Sequence, residues 1–218
     1  MHLHPAHSVT EQVADHLQSR IVTGRIPACA RIREVRLARE LGVSRGSVRE
    51  ALLMLARGHL IDLAPRRGAT VSAFGPTEIV HCSDLYEELQ LRYFGALATS
   101  QQDPSPLFQA ALESMAVAAD GGDGDGILEA RRAFVRAGLE HLRDRYLASS
   151  IVSLMPSGLR LAHLASAHPR WDGRDCARYH GTLMRAMAAG ARERVAELVR
   201  AFTRRERDLA LCVVRGEA

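Results

Sequence analysis

The stretch ARELGVSRGSVREALLMLARGHL, residues 38–60, decides the fold of the first part of the chain. It predicts a short helix that Gly42 ends, a tight turn, and a second helix that the side chain of Ser44 caps. Helical spacing predicts one buried stripe on the second helix, formed by Val48, Ala51, Leu52 and Leu55. Arg45 and Arg49 lie four residues apart on another face, close to the start of that helix.

A helix start with two exposed arginines favours the DNA major groove. Arginine can pair with guanine through two hydrogen bonds, while the backbone amides of a helix start hold a phosphate. A helix, a glycine and a second helix with exposed arginines also occur in ordinary helical domains. The flanking sequence therefore has to decide between these two interpretations.

The flanks complete a winged helix-turn-helix over residues 1–75. Upstream, Ser8 and Glu11 fit a capping box that starts a helix, and its buried stripe is formed by Val13, Leu17 and Ile21. Downstream, residues 60–63 and 69–72 read as two strands joined by a turn that carries Arg66 and Arg67. Three helices and a basic hairpin place one helix in the major groove and the wing along the DNA backbone or minor groove.

The charge distribution agrees with this interpretation. The first 75 residues carry 11 arginines and 6 acidic residues, whereas the other 143 carry 18 arginines and 19 acidic residues. The net charge of +4 therefore resides in the proposed DNA-binding part. The chain has no lysine, so arginine supplies every fixed side-chain cation.

The composition and the absence of certain sequence patterns limit the cell compartment and the class of protein that we expect. No apolar run is long enough to span a membrane, and the first residues show no signal-peptide pattern. The four cysteines are far apart and indicate reduced thiols. No nucleophile lies in a strand–turn–helix pattern, and no phosphate-binding glycine loop is present. We therefore expect a cytoplasmic protein that is not an enzyme and has no membrane partner.

Residues 76–218 are predicted to form a second, all-helical domain. Thr77 begins a helical pattern with Ile79, Leu85 and Leu89 directed inwards. Further helices are predicted over residues 107–119, 127–147, 149–165, 173–190 and 191–213. The glycine-rich segment 120–126 lacks the terminal glutamate of a calcium loop and is interpreted as a turn. The predicted fold class is thus mainly α, with a winged helix-turn-helix followed by a helical bundle.

The first 75 residues resemble the N-terminal domain of GntR-type bacterial transcription regulators. The matching positions include Leu17, Ile21, Gly24, Pro27, Leu41, Gly42, Ser44, Arg45, Val48, Arg49, Glu50, Ala51, Leu52, Gly58 and Gly68. Two positions depart from the family pattern. Ala28 and Cys29 stand where the family usually has Pro-Gly, and Gly46 stands where threonine is common.

The second domain resembles the FCD domain of the FadR-like branch of that family. The similarity is clearest around Phe134, over Asp144–Tyr146 and over His180–Gly190. The resemblance implies a helical bundle around a buried pocket, with the dimer interface on the same bundle. Many members hold a metal there through one aspartate and three histidines. These positions are Arg131, Val135, His180 and Phe202 in this sequence, so only one ligand is kept and we expect no metal and no other cofactor.

Arg131 has two possible environments. If it faces the pocket, its guanidinium favours an anionic effector such as a carboxylate, with Val135 and Phe202 as pocket wall and His180 nearby. If it shares the exposed basic side of its helix with Arg132, it points to solvent instead.

The sequence predicts a regulator, with repression by default, that binds a palindromic operator in double-stranded DNA as a homodimer. An effector in the helical domain would change its DNA affinity. The predicted DNA contacts are Arg36, Ser44, Arg45, Gly46, Ser47, Arg49, Arg66, Arg67 and Gly68. Two alternatives remain: a metal-responsive regulator with a rearranged site around His180, and a constitutive architectural DNA-binding protein without effector.

Overall fold

This computed structural model describes residues 8–64, 68–100 and 103–217. These residues contain nine α-helices and three short strands. The chain divides into two units between Phe74 and Gly75. The first unit contains α1 Val9–Val22, β1 Arg31–Ile32, α2 Glu34–Leu41, α3 Arg45–Arg57, β2 Ile61–Ala64 and β3 Gly68–Val71. The second contains α4 Pro76–Ala98, α5 Ser105–Asp120, α6 Gly124–Leu139, α7 Arg145–Ser166, α8 Gly173–Ala188 and α9 Arg192–Arg215. The predicted fold class is confirmed.

Local capping positions the helices of the first unit. Ser8 and Glu11 form the predicted capping box of α1, with a distance of 2.7 Å from the Ser8 amide to the Glu11 carboxylate. Helix α2 ends at Gly42, whose φ of 65° lies in the left-handed region that glycine adopts without steric cost. The predicted stripe of α3 is confirmed, since Val48, Ala51, Leu52 and Leu55 are all buried.

The wing is an antiparallel hairpin, as predicted, but it belongs to a three-stranded sheet. Strand β3 pairs with β2 through Ile61↔Val71 and Leu63↔Ala69. It also pairs with β1, which the sequence analysis missed, through Arg31↔Thr70. The sheet order is β1-β3-β2. The two arginines predicted at the turn, Arg66 and Arg67, lie outside the described residues.

Cys29 occupies the position where the sequence pattern of similar regulators has glycine. Its φ is +64°, a left-handed conformation that is unfavourable for a residue with a Cβ. The Cys29 amide donates to the Val71 carbonyl at 2.9 Å, and the Val71 amide donates to the Ala30 carbonyl at 2.9 Å. These hydrogen bonds to the end of β3 hold the strained backbone in place.

The helical unit corrects two sequence predictions. Leu85 is not directed inwards: it is 55% exposed, because the buried face of α4 runs through Ile79, Cys82, Tyr86 and Tyr93 instead. The predicted helix over residues 127–147 is also wrong. Helix α6 ends at Leu139, and α7 begins at Arg145 after Asp144, whose carboxylate accepts from the Tyr146 and Leu147 amides at 3.0 Å. An aspartate cap therefore starts a new helix where the apolar periodicity had suggested continuity.

An aromatic cluster forms the centre of the helical unit. Phe108 of α5 stacks on Phe134 of α6 with ring centroids 4.3 Å apart, and Phe94 of α4 lies 6.1 Å from Phe134. The Tyr93 hydroxyl donates to the Val135 carbonyl at 2.6 Å. Along the described parts of the chain, no helix has the length and apolar character needed to cross a membrane.

Replacing Cys29 with glycine should stabilise the first unit. Glycine adopts φ near +64° without a Cβ clash. The relief of this strain outweighs the entropic cost of ordering a more flexible residue, so the free energy of unfolding should rise by about 1 kcal/mol. Urea unfolding of the Cys29→Gly chain, followed by hydrogen exchange of the backbone amides of the first unit, measures the change. Ala28→Gly is the matched control, because Ala28 does not have a positive φ. A Cys29→Gly chain no more stable than Ala28→Gly would contradict the strain.

Candidate nucleic-acid interface and helical-domain pocket

The start of α3 combines exposed cations with the backbone amides of a first helical turn that Ser44 caps. The Ser44 hydroxyl accepts from the Ser47 amide at 3.0 Å and lies 2.9 Å from the Ser47 hydroxyl. The first turn carries no acidic residue. Arg45 and Arg49 are exposed, and so is Gly46 between them. This end of the helix is therefore positive in both its side chains and its dipole.

Four arginines line one groove of about 910 Å³ in the first unit, and they are Arg31, Arg33, Arg45 and Arg49. No carboxylate or hydrogen-bond partner of these four guanidinium groups is found among the described residues. Arg31 and Arg33 were not among the DNA contacts predicted from the sequence. Their signal was the alternation Arg31-Ile32-Arg33, in which only the isoleucine is buried, as expected of a strand with one buried face. Strand β1 thus adds one cation, Arg31, beside those of α3, and the residue just before α2 adds a second, Arg33.

The other predicted DNA contacts are distributed around this groove. Gly68 begins β3 and lines the groove, with a φ of +85°. Arg36 lies on α2, outside the groove lining, and its guanidinium pairs with Glu40 at 2.6 Å. The hydrogen bond to Glu40 raises the pKa of Arg36. Arg36 is therefore the one predicted contact whose charge is already compensated in the described part of the chain.

A cavity of about 20 Å³, enough for one water molecule, lies where five helices of the second unit meet. All four positions implied by the FCD resemblance line it: Arg131, Val135, His180 and Phe202. The rest of the lining is formed by Tyr86, Gln90, Phe94, Met155, Gly158, Leu159 and Tyr179. Gly158 admits the Tyr86 ring, because a Cβ at Gly158 would lie 2.7 Å from that ring.

Arg131 is buried, so the solvent-facing alternative is wrong. Its side chain forms a two-point ion pair with Glu206 of α9: Nη1 donates to Oε1, and Nη2 donates to Oε2 at 2.8 Å. The guanidinium carbon lies 5.3 Å from the centre of the Phe202 ring. Burial is the largest effect and acts to lower the pKa of Arg131, but the charge and hydrogen bond of Glu206, together with Cys176 and Tyr86, raise that pKa above its ordinary value, so the guanidinium stays charged.

Glu206 was absent from the sequence predictions. It lies 75 positions after Arg131 and within the charged run Arg204–Asp208, which by itself indicates a solvated helix face. Its helical spacing offered one signal: Phe202, Glu206 and Leu209 share a face of α9, and an acidic residue between apolar neighbours suggests a buried partner. Glu206 and Arg131 are only 6% and 7% exposed.

His180 is a neutral imidazole in this pocket. Its Nδ1 lies 2.8 Å from the Cys176 carbonyl oxygen and donates to it, which leaves Nε2 as an acceptor. Burial, followed by the positive charge of Arg131, lowers the pKa of His180 to about 3. The rings of Phe134 and His180 pack edge to face, with their centroids 5.0 Å apart.

The four pocket positions do not fit a divalent metal. They supply one imidazole nitrogen beside a buried cation, which repels a metal ion rather than binding it. No cluster of three or more histidine, cysteine, aspartate or glutamate side chains suited to a metal occurs within the described ranges. The absence of a bound metal remains a prediction.

A winged helix-turn-helix with an arginine-lined groove, followed by a helical bundle with an internal cavity, defines a class of DNA-binding transcription regulators. Comparisons with known proteins identify the family. Residues 9–71 match the bacterial regulatory proteins of the gntR family, and residues 92–205, more than half of the chain, match the FCD domain. The chain belongs to the GntR family of transcription regulators, in the FadR-like branch that carries an FCD domain, and it is not an enzyme.

Individual relatives agree with this assignment. The chain is 33% identical to the HTH-type transcriptional regulator McbR of Escherichia coli K12 over 129 residues, which span 58% of each protein. It is 26% identical to a probable D-xylose utilization operon transcriptional repressor of Paenarthrobacter nicotinovorans over 183 residues, covering 84% of this chain and 80% of the relative. The solved structure of E. coli McbR/YncC shares the fold, with a TM-score of 0.73 and 24% identity, over 90% of this chain and 94% of that one.

The buried neutral His180 should make stability depend on pH. An unfolded histidine takes up a proton near pH 6.5, whereas the folded pKa is about 3. The stability that this group contributes is therefore complete above pH 6.5 and is lost as the pH falls towards 3, by up to about 1.4 kcal/mol per pH unit. Urea unfolding between pH 7 and pH 5 should show a smaller loss for His180→Asn, which cannot titrate. Identical pH profiles for both chains would exclude a buried neutral histidine.

Proposed function

We propose that this chain is a repressor that binds a palindromic operator as a homodimer, and that a small effector bound in the helical unit changes its DNA affinity. The arginine-lined groove at the start of α3 carries this proposal. Arg45 and Arg49 are placed to read base edges in the major groove, with the amides of the first helical turn on a phosphate. We assign contacts with the DNA backbone to Arg31 of β1 and to Arg33, which immediately precedes α2.

The hydrogen-bonding capacity of the groove supports DNA as the partner. Each guanidinium presents five donors in a planar fork that matches guanine edges and phosphates. Four such groups in one groove repel each other unless anions neutralise them, and Glu34 is the single carboxylate among the described residues of the lining. A polyanion neutralises the groove with release of counterions, which gives binding a steep dependence on salt.

The sign of regulation is proposed from a relative. The Paenarthrobacter protein is described as a probable repressor, and it aligns with most of this chain. Two-fold symmetry would place one α3 on each half of a palindrome, in major grooves about one helical turn apart. We place this activity in the cytoplasm, where the operator is.

The effector is proposed to be an anion such as a carboxylate, held by Arg131 in the cavity of the helical unit. The cavity lining supports this choice because it joins a buried guanidinium to apolar walls formed by Val135, Met155 and Phe202. His180 Nε2 and the tyrosine hydroxyls supply polar groups that can orient a bound molecule.

A second candidate function follows from the small volume of the cavity. A cavity of about 20 Å³ has room for water but for no larger molecule unless side chains move. A constitutive DNA-binding protein, whose helical unit only supports dimerisation, would need no larger cavity. Small molecules would then leave its DNA affinity unchanged.

Arg49→Ala should abolish sequence-selective DNA binding. Loss of a two-point base contact is expected to cost about 1–3 kcal/mol of binding free energy for the preferred site, with little effect on other sequences. Arg31→Ala should weaken binding to all sequences about equally and reduce the salt slope by about one counterion. Fluorescence anisotropy at several salt concentrations, with the intergenic DNA upstream of the chain's own gene, measures both effects.

Arg57→Ala is the matched control for these measurements. It removes the same charge from the exposed last turn of α3, outside the groove lining, and should leave selective binding unchanged. Sedimentation of the complex should give two chains per operator. Equal losses for Arg49→Ala and Arg57→Ala would show that only net charge matters, as in a nonspecific binder.

The purified protein should bind divalent metal only substoichiometrically. One imidazole beside a buried guanidinium is a poor site, so protein incubated with Zn²⁺ or Ni²⁺ and then passed through a desalting column should carry little metal by elemental analysis. One equivalent of metal that is lost in His180→Asn would instead establish the metal-responsive alternative, with a rearranged site around His180.

A further inference from the structure

The Arg131–Glu206 pair separates two spaces in the helical unit. Arg131 lines the internal cavity, whereas Glu206 lines a second, narrow cleft on the other side of the pair. Phe202 lines both spaces. The cleft also contains Trp171, Asp175, Cys176, Arg205 and Leu209. The ion pair is therefore part of the wall between the cavity and the cleft.

The Glu206 carboxylate already pairs with the Arg131 guanidinium in the way that a carboxylate ligand would. Both of its oxygens accept from the terminal nitrogens of the guanidinium, which is the geometry of bidentate carboxylate recognition. A second anion has no room at Arg131 while this pair is intact, since the remaining cavity holds one water molecule. A carboxylate effector at Arg131 therefore has to take the place of Glu206.

The structure offers Glu206 another partner if it leaves Arg131. The neighbouring cleft contains the Arg205 guanidinium, whose Nη2 donates to the Asp175 carboxylate at 2.8 Å. The Arg205 side chain is 47% exposed, so the cleft opens to solvent there. A Glu206 carboxylate that rotates about its own side-chain bonds can remain paired and hydrated in this cleft instead of being buried without a partner.

We infer that Glu206 is an internal carboxylate ligand of the effector pocket, and that a carboxylate effector binds Arg131 by displacing Glu206 towards Arg205. This inference rests on the proposed function, since it gives the effector its chemical class and its point of attachment. The pocket then has two states, one closed by Glu206 and one opened by an external carboxylate. The effector has to offset the loss of the internal pair, so its affinity is set by the difference between the two carboxylates.

Acetate is the probe, because Glu206→Ala removes the group CH₂–COO⁻, which acetate restores in size and charge. The melting temperature of each chain is followed against acetate concentration, with sodium chloride at equal ionic strength as reference. Glu206→Ala should be stabilised by acetate, with an affinity at least about tenfold above that of the wild type, which corresponds to one charge-assisted hydrogen bond. Arg131→Met/Glu206→Ala should show no effect specific to acetate.

Glu206→Gln covers the case in which the alanine variant does not fold. It keeps the volume of the side chain but not its charge, so it should also bind acetate more tightly than the wild type. Equal acetate affinity in the wild type and the Glu206 variants would overturn the inference, and so would an acetate effect that persists without Arg131. No DNA is present in these experiments. The operator measurement with Arg49→Ala therefore fails or succeeds independently of them.

Discussion

The buried ion pair between Arg131 and Glu206 is the interaction on which the helical unit depends. Moving two charges out of water costs several kcal/mol for each ion, and their attraction repays this cost only in good geometry with the remaining hydrogen bonds satisfied. The two-point contact meets that condition. Loss of either partner alone would strand a buried charge at a cost of about 3–5 kcal/mol. The pair thus fixes α6 against α9. Burial, followed by the charge of Arg131, lowers the pKa of His180 beside it.

The DNA-binding unit uses the opposite electrostatic arrangement. Its four groove arginines are exposed and have no carboxylate partner among the described residues, so their mutual repulsion is reduced only by solvent and salt. Rigid local structure holds them in place: the Ser44 cap fixes the start of α3, and the pairing of Arg31 with Thr70 fixes β1. A surface that is ordered without its partner loses little conformational entropy when the partner binds.

The sequence predicted features that depend on neighbouring residues and missed those that depend on distant ones. The Ser8–Glu11 capping box and the α3 stripe are determined within one or two helical turns, and both were confirmed. Strand β1 is only two residues long and is held by its pairing with β3, so the short alternation Arg31-Ile32-Arg33 was too weak a local signal to predict it. The helix over 127–147 was wrong because apolar periodicity continues through a break that Asp144 caps. Glu206 was missed because its partner lies 75 positions away in sequence, on α6, but next to it in space.

The pocket shows how a resemblance can transfer position without transferring chemistry. The four positions that hold a metal in similar proteins do come together here, yet they present a guanidinium, two apolar side chains and one imidazole. The guanidinium of Arg131 supplies a permanent positive charge where the FCD resemblance implies a bound metal ion. A buried charge of this kind needs an anionic partner. Glu206 meets this need from a helix turn beyond Phe202, so a residue outside the four implied positions is part of the site. The chemistry of this pocket is therefore defined by Arg131 and Glu206 together. A ligand of Arg131 would have to compete with the carboxylate of Glu206.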